Sequence, residues 1–336
     1  MNGKSDNKDV LIKENPTSKI SKPLTNNLES QQPLKTLSER PKEGVSLLIG
    51  QDISGLEKTL GSPDRIDQTI YGYDWYIYDS NYSGYIQVGV ENNHIVTVYA
   101  IGKDLDIAPF EIGQPVEEIF NTQYIDANVD INSAGNSYRF ELNDTDINMR
   151  PLVQLGDIYA QLYIDKFTGN LSSVRFIDAD TLIKQRPYEL VYRGQLLEAP
   201  KPTPEQWKTV EHGTEREIFD LTNVLRIRYN LKPLKWDEKT AEVAYNHSKD
   251  MLENNDFSHT SKKFGSLADR LKVAKVVYQA AGENIAANYT DGPAVVEGWL
   301  NSKGHREALL NKDFTHLGVG VYEKYYTQNF IEKWVQ

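Results

Sequence analysis

The sequence predicts a mixed α+β protein, with two similar small α+β units followed by a domain in which helices cover both faces of one sheet. Three observations carry that reading. Ile49–Gly50–Gln51 recurs as Ile112–Gly113–Gln114, each copy followed by a helix-spaced apolar pair, Ile53 and Leu56 or Val116 and Ile119. Each copy is followed by Tyr-rich segments of strand character. A stretch with Pro200, Pro202 and Pro204 then precedes a C-terminal third in which helix and strand patterns interleave.

Residues 1–44 are rich in Lys, Asn, Ser, Pro and Glu and hold few large apolar side chains, so a disordered linker or stalk is expected there. Residues 45–195 read as one N-terminal domain of two repeat units, 45–107 and 108–185. In the first, Ile49, Ile53, Leu56 and Leu60 predict a short helix, and YIQVGVENNHIVTVYAIG predicts a hairpin turning at Asn92–Asn93. In the second, IYAQLYIDKFTGNLSSVRFID repeats the hairpin with its turn at Thr168–Gly169–Asn170. The tyrosines between 71 and 85 either fill strands, the favoured reading, or present a face to carbohydrate or peptide. Residues 196–213 are expected as a Pro-stiffened extended connector.

Over 214–336, Thr214 and Glu217 form a capping box before an apolar face of Ile218, Leu221, Val224 and Leu225, closed by Asn230 and Pro233. Asp237 caps a second helix that buries Ala241, Ala244, Ser248 and Met251. Ser266 and Asp269 make another capping box, and VAKVVYQ is expected as a strand. Asp291 and Pro293 open a helix with Val295, Val296 and Trp299 inward. LGVGVY and YTQNFIEKW are the closing strands, and Gly318 and Gly320 imply close backbone approach. Trp236 and Trp299 are expected in the core.

Composition narrows the function. Net charge is −11 over 336 residues, which disfavours nucleic acid and disfavours an anionic membrane by charge alone. Cysteine is absent, so a metal would need His, Asp or Glu. No apolar run is long enough to span a membrane, and MNGKSDNKDV lacks a signal-peptide core. An extracellular location therefore expects an export segment outside this sequence.

The candidate chemistry sits in three segments. His259 lies in FSHTS, Glu283 in GENIA after the expected strand, and His305 in NSKGHR past the Trp299 helix. Imidazole and carboxylate together bind a divalent metal or move protons. No HExxH or G-x-S-x-G is present. Ser302 as a nucleophile served by His305 is therefore weaker than Ser302 as a packed or capping residue. Asn284 is expected to fix the turn around Glu283 or to face the cleft, His247 to be packed or hydrogen-bonded, and His316 to be at the surface.

These three segments and the LGVGV strand, in this order, resemble the CAP superfamily (cysteine-rich secretory, antigen 5 and pathogenesis-related proteins) in its bacterial form. Residues 45–195 resemble the N-terminal domain associated with such domains. The resemblance implies an α–β–α sandwich whose cleft holds two His and two acidic residues, with a divalent cation in some members. Carried over residue by residue, the site is His259, Glu283 and His305, with Asn284 and Ser302 as further cleft residues. Ser302 stands where animal and plant members have a second Glu, which weakens the case for Zn²⁺ or Mg²⁺. The resemblance implies an extracellular or cell-surface protein that binds a lipid, a peptide or a wall component, with binding favoured over catalysis. The rivals are a metal-dependent hydrolase or protease acting on peptide or wall material, and a structural adhesion protein.

Overall fold

Strand alternation in the Tyr-rich region builds a seven-stranded antiparallel sheet. The computed structural model describes residues 22–23, 38–78 and 81–334; most of the expected stalk lies outside them. The chain forms two units, one over Pro16–Gly213 and one holding Thr214–Gln336.

The N-terminal unit contains, in order, β1 (Lys22–Pro23), α1 (Leu56–Leu60), β2 (Arg65–Gln68), β3 (Asp74–Tyr78), β4 (Ile86–Glu91), β5 (His94–Ala100), α2 (Val116–Thr122) and β6 (Asn128–Ser133). It continues with β7 (Asn136–Glu141), α3 (Asp144–Met149), β8 (Leu152–Leu155), β9 (Ile158–Asp165), β10 (Asn170–Ile177), α4 (Ala179–Gln185) and β11 (Glu189–Arg193). The large sheet runs β2-β3-β4-β5-β10-β9-β8, and a second sheet runs β1-β11-β7-β6. The two hairpins meet at its centre, where β5 pairs with β10. Asn92 and Asn93 both adopt positive φ, which suits the two-residue turn joining β4 and β5.

The repeated tripeptides do the same job in each copy. Gly50 N–H donates to Ile95 O (2.7 Å), and Ile95 N–H returns to Gln51 O (2.9 Å). Gly113 N–H donates to Leu171 O and Leu171 N–H to Gln114 O, both at 2.8 Å. The segment of Ile49, Ile53, Leu56 and Leu60 is not one helix. Positive φ at Gly50 and the Asp52 cap divide it into two 3-10 turns and the five-residue α1. Tyr71, Tyr73, Tyr78 and Tyr85 are buried and fill the unit, whereas Tyr76 and Tyr82 are partly exposed.

Helix α5 (Pro204–Arg228) begins well before the start expected from a cap at Thr214. Thr203 and Gln206 supply the capping box, with Thr203 N–H to Gln206 Oε1 at 2.8 Å and Gln206 N–H to Thr203 Oγ1 at 3.3 Å. Pro204 has its fixed φ at the first helical position. Thr214 and Glu217 therefore lie mid-helix, and the expected extended connector is helical from 204 onwards.

The C-terminal unit adds β12 (Lys235–Trp236), α6 (Glu238–Glu253), α7 (Leu267–Val273), β13 (Ala280–Ala287), α8 (Gly292–Leu300), α9 (Lys303–Leu309), β14 (His316–Tyr322) and β15 (Tyr325–Glu332). The sheet order is β12-β14-β15-β13, leaving β13 at an edge. Glu283, Asn329 and Gly318 share one cross-strand row, and Asn284, Gln328 and Val319 form the next row on the opposite face. Helix α6 covers the first face through Ser248, whose hydroxyl bonds Gly320 O and Thr327 Oγ1, both at 2.8 Å. On the second face, Gln328 Nε2 donates to Thr222 Oγ1 of α5 (2.7 Å) and Asn284 Nδ2 to the backbone of α9. The result is an α–β–α sandwich. Trp299 is core, whereas Trp236 is only partly buried beneath the Arg216 guanidinium.

The strand expected over VAKVVYQ is displaced. Val273 ends α7, and the strand is AAGENIAA, the edge partner of β15. Its Ala, Gly and Asn residues have low β propensity, so antiparallel pairing decides where it forms. Glu283 consequently lies within a strand and not after one.

Candidate functional site

Edge strand β13 sends Glu283 towards α6 and α7. A side chain this buried needs partners, and it has three neighbours. His259 Nδ1 lies 3.0 Å from Oε1, Arg270 donates through Nη2 to Oε2, and His247 Nε2 is 3.8 Å from Oε1. A carboxylate accepts, so His259 carries its proton on Nδ1 and offers Nε2 outward. Arg270 also donates through Nη1 to His259 O at 3.0 Å, tying the FSHTS loop to α7. Burial pushes the Glu283 carboxyl up, but the His259 hydrogen bond and the Arg270 charge outweigh it, holding the group below the usual Glu range.

His247 and His305 are buried, and none of their ring nitrogens has a hydrogen-bond partner in the fold. Burial pushes each to about 4, opposed at His247 by Glu283 and reinforced at His305 by the nearby His259. Both are therefore neutral at pH 7, and the His247–Glu283 approach is not an ion pair. A neutral imidazole has one donor and one acceptor, so each ring has two unmet positions. Asn329, directly opposite Glu283, likewise has both amide atoms unpaired.

Asn284 points to the other face. Its Nδ2 donates to His305 O and to Gln328 Oε1, each at 3.1 Å, so it joins β13 to α9 instead of fixing a turn around Glu283. Ser302 occupies the N-cap position of α9, where its carbonyl accepts from Arg306 N–H at 2.7 Å. Its hydroxyl is not bonded to His305, so the pairing a nucleophile needs is missing. His316 opens β14, partly buried, with Nδ1 2.8 Å from Thr315 Oγ1.

These residues do not fit a divalent cation. Both Glu283 oxygens are occupied, and one partner is a guanidinium that would repel a metal. Among the described residues no group of three or more His, Asp or Glu side chains is placed to hold one.

Sequence reasoning missed Arg270 and the place of His247. For Arg270 a signal existed: Leu267, Arg270 and Leu271 fall at i, i+3 and i+4, which sets the arginine on the buried stripe of α7. An arginine there requires acceptors for its donors, and a buried carboxylate is one way to supply them. His247 precedes Ser248 on α6, and only the helix–sheet register brings it to Glu283.

Two depressed imidazoles make stability pH-dependent. The unfolded chain protonates each near 6.5 and the folded chain only near 4. Stability should therefore fall as pH drops from about 6.5 to 4, by on the order of 3 kcal/mol per histidine. Urea unfolding across that window checks this, with His305→Gln expected to flatten the slope.

An α–β–α sandwich with His259 bonded to a buried edge-strand carboxylate, and a buried histidine, His305, on the following short helix, points to the CAP class. Residues 219–336 match the cysteine-rich secretory protein family, and residues 49–188 match the CAP-associated N-terminal family. The chain is 52% identical over 314 residues, 94% of its length and 90% of the relative's, to YlbC of Bacillus subtilis (strain 168), described as an uncharacterized membrane protein. Over 121 residues, 35% of the chain and 47% of the relative, it is 43% identical to YkwD of the same organism. A crystal structure of an extracellular SCP-domain protein from Bacillus anthracis str. Ames superposes with a TM-score of 0.83 at 46% identity, covering 90% of this chain and 99% of that one. A cysteine-rich secretory protein from Staphylococcus aureus subsp. aureus Mu50 gives 0.77 at 30% identity, covering 88% and 98%. The chain belongs to the CAP superfamily, in the bacterial form that carries a CAP-associated N-terminal domain.

Proposed function

We propose that this is an extracellular or cell-surface protein whose CAP domain binds a ligand at a cleft built on His259 and Glu283, with His247 and Arg270 as supporting members, His305 and Ser302 as further candidate contacts, and Asn284 on the opposite face tying β13 to α9. The observation that carries the reading is the set of unmet ring positions on His247, beside a carboxylate paired with Arg270, and on His305, which lies within electrostatic reach of His259. Buried polar atoms without partners favour an occupant with donors and acceptors of its own. The extracellular location rests on the similar Bacillus anthracis protein. Among the described residues no helix is long and apolar enough to cross a membrane. Binding is favoured over metal-dependent hydrolysis because the Glu283 oxygens are engaged. The domain reading remains 45–195 and 214–336, with the paired hairpins serving as a spacer or recognition module.

The test is an NMR titration of the full chain with a fatty acid, a short peptide and a muropeptide. One of the three should perturb His247, His259 and His305, and His305→Ala should weaken that binding about tenfold, the effect of losing about 1.4 kcal/mol of hydrogen bonding. Absence of perturbation by all three, or unchanged affinity in the variant, would overturn the proposal.

A further inference from the structure

The segment around α7 differs from the rest of this acidic chain. Between Phe257 and Gln279 there are five Lys or Arg and one Asp. Arg270 is turned inward to Glu283, while Lys262, Lys263, Lys272 and Lys275 are exposed. Large apolar side chains stand among them: Phe264 is 46% exposed, Val273 82% and Val277 68%. Leu271 and, partly, Leu267 and Ala274 pack inward, so Lys272 and Val273 lie on the outer side of α7, with Phe264, Lys275 and Val277 exposed on the loops that flank it. The nearby acids are engaged. Asp256 pairs with Lys262 at 3.0 Å, and Asp269 holds Ser266 in the capping box.

We propose that this outer face of α7 and its flanking loops docks on an anionic phospholipid surface. Lysines near such a surface are attracted to its headgroups, and Phe264, Val273 and Val277 enter the boundary with the acyl chains. The apolar residues choose the partner. A soluble polyanion would engage the lysines but leave three hydrophobic side chains in water. Lys263 Nζ sits 4.8 Å from the centre of the Phe264 ring, so anchor and charge arrive together. The net charge of −11 does not prevent docking, because salt screens charges beyond about 8 Å at physiological ionic strength. The docked face adjoins His259, whose carbonyl is held by Arg270 of the same segment.

Cosedimentation of the full chain with vesicles tests this. Binding is expected to phosphatidylglycerol-containing vesicles and not to phosphatidylcholine alone, and it should decline as ionic strength rises from about 0.1 to 0.5 M. At about fivefold per lysine, Lys272→Gln with Lys275→Gln should weaken partitioning roughly 25-fold. Phe264→Ser with Val277→Ser should weaken it further. All four positions are exposed, so the fold should tolerate the changes. A control pair, Lys239→Gln with Lys312→Gln, alters exposed lysines elsewhere on the unit and should bind as the parent does. Absence of binding at low salt, equal binding to both vesicle types, or equal loss in patch and control variants would overturn the proposal. So would a Phe264/Val277 variant that binds unchanged while soluble poly(glycerol phosphate) competes fully, the result expected of a polyanion site.

Discussion

Arg270→Met is expected to destabilise the C-terminal unit by roughly 3–5 kcal/mol, the usual cost of leaving a buried charge without its partner. Arg270 and Glu283 are both buried, and the guanidinium also holds His259 O and Gly265 O, at 3.0 and 3.2 Å. Without it, Glu283 keeps only the His259 hydrogen bond against full burial, and its carboxyl rises. The wild-type contribution is present above the ordinary Glu value, 4.5, and fades as pH falls through the depressed folded value. The variant should lose that dependence. Adding Glu283→Gln removes the stranded charge, so the double variant should be less destabilised than the sum of the singles by 1 kcal/mol or more. Urea unfolding of the four proteins measures this. A loss below about 1 kcal/mol for Arg270→Met would mean that the pair is not what neutralises the cleft.

Gly320→Ala should be about as damaging. A Cβ there would lie 1.8 Å from Tyr245 N, and one at Gly318 would lie 2.2 Å from Ala241 N. Both obstacles are α6 backbone and cannot rotate aside, so the helix itself must move. A shift of α6 carries His247 away from Glu283 and breaks the Ser248 bonds to Gly320 O and Thr327. The expected cost is about 3 kcal/mol or more, with failure to fold as the extreme outcome. Gly55→Ala is the contrast. Its φ is −78° and nothing lies nearer its Cβ than 3.9 Å, so a change within about 0.5 kcal/mol is expected. Circular dichroism melts of the two variants read the difference.

The same two glycines show how much of the fold was legible. Gly318 and Gly320 alternate in a strand, so their bare faces had to meet another backbone. Local signals placed Asp237, Ser266 with Asp269, and Asp291 at helix starts, because a side-chain oxygen three residues before a free N–H is a short-range fact. Asn92–Asn93 likewise marked its turn. Competing signals went astray. Two capping-box sequence patterns occur at α5, and the Thr203–Gln206 pair took the helix start because Pro204 favours the first turn. VAKVVYQ carries more β propensity than AAGENIAA, but the second segment meets β15. The site was partly legible. FSHTS, GENIA and NSKGHR direct attention to His259, Glu283 and His305, whereas His247 and Arg270 reach Glu283 through the packing of α6 and α7 on the sheet, which no local pattern records.

The account rests on a carboxylate neutralised by Arg270 with the neutral, unpartnered imidazole of His247 beside it, and on a second such imidazole, His305, near His259. Ring-nitrogen NMR of the histidines in the full chain, followed from pH 7 to 4, tests this most directly. His247 and His305 should each keep one protonated and one bare nitrogen until the pH nears 4. Double protonation of both rings by about pH 6, close to the unperturbed histidine value, would contradict it.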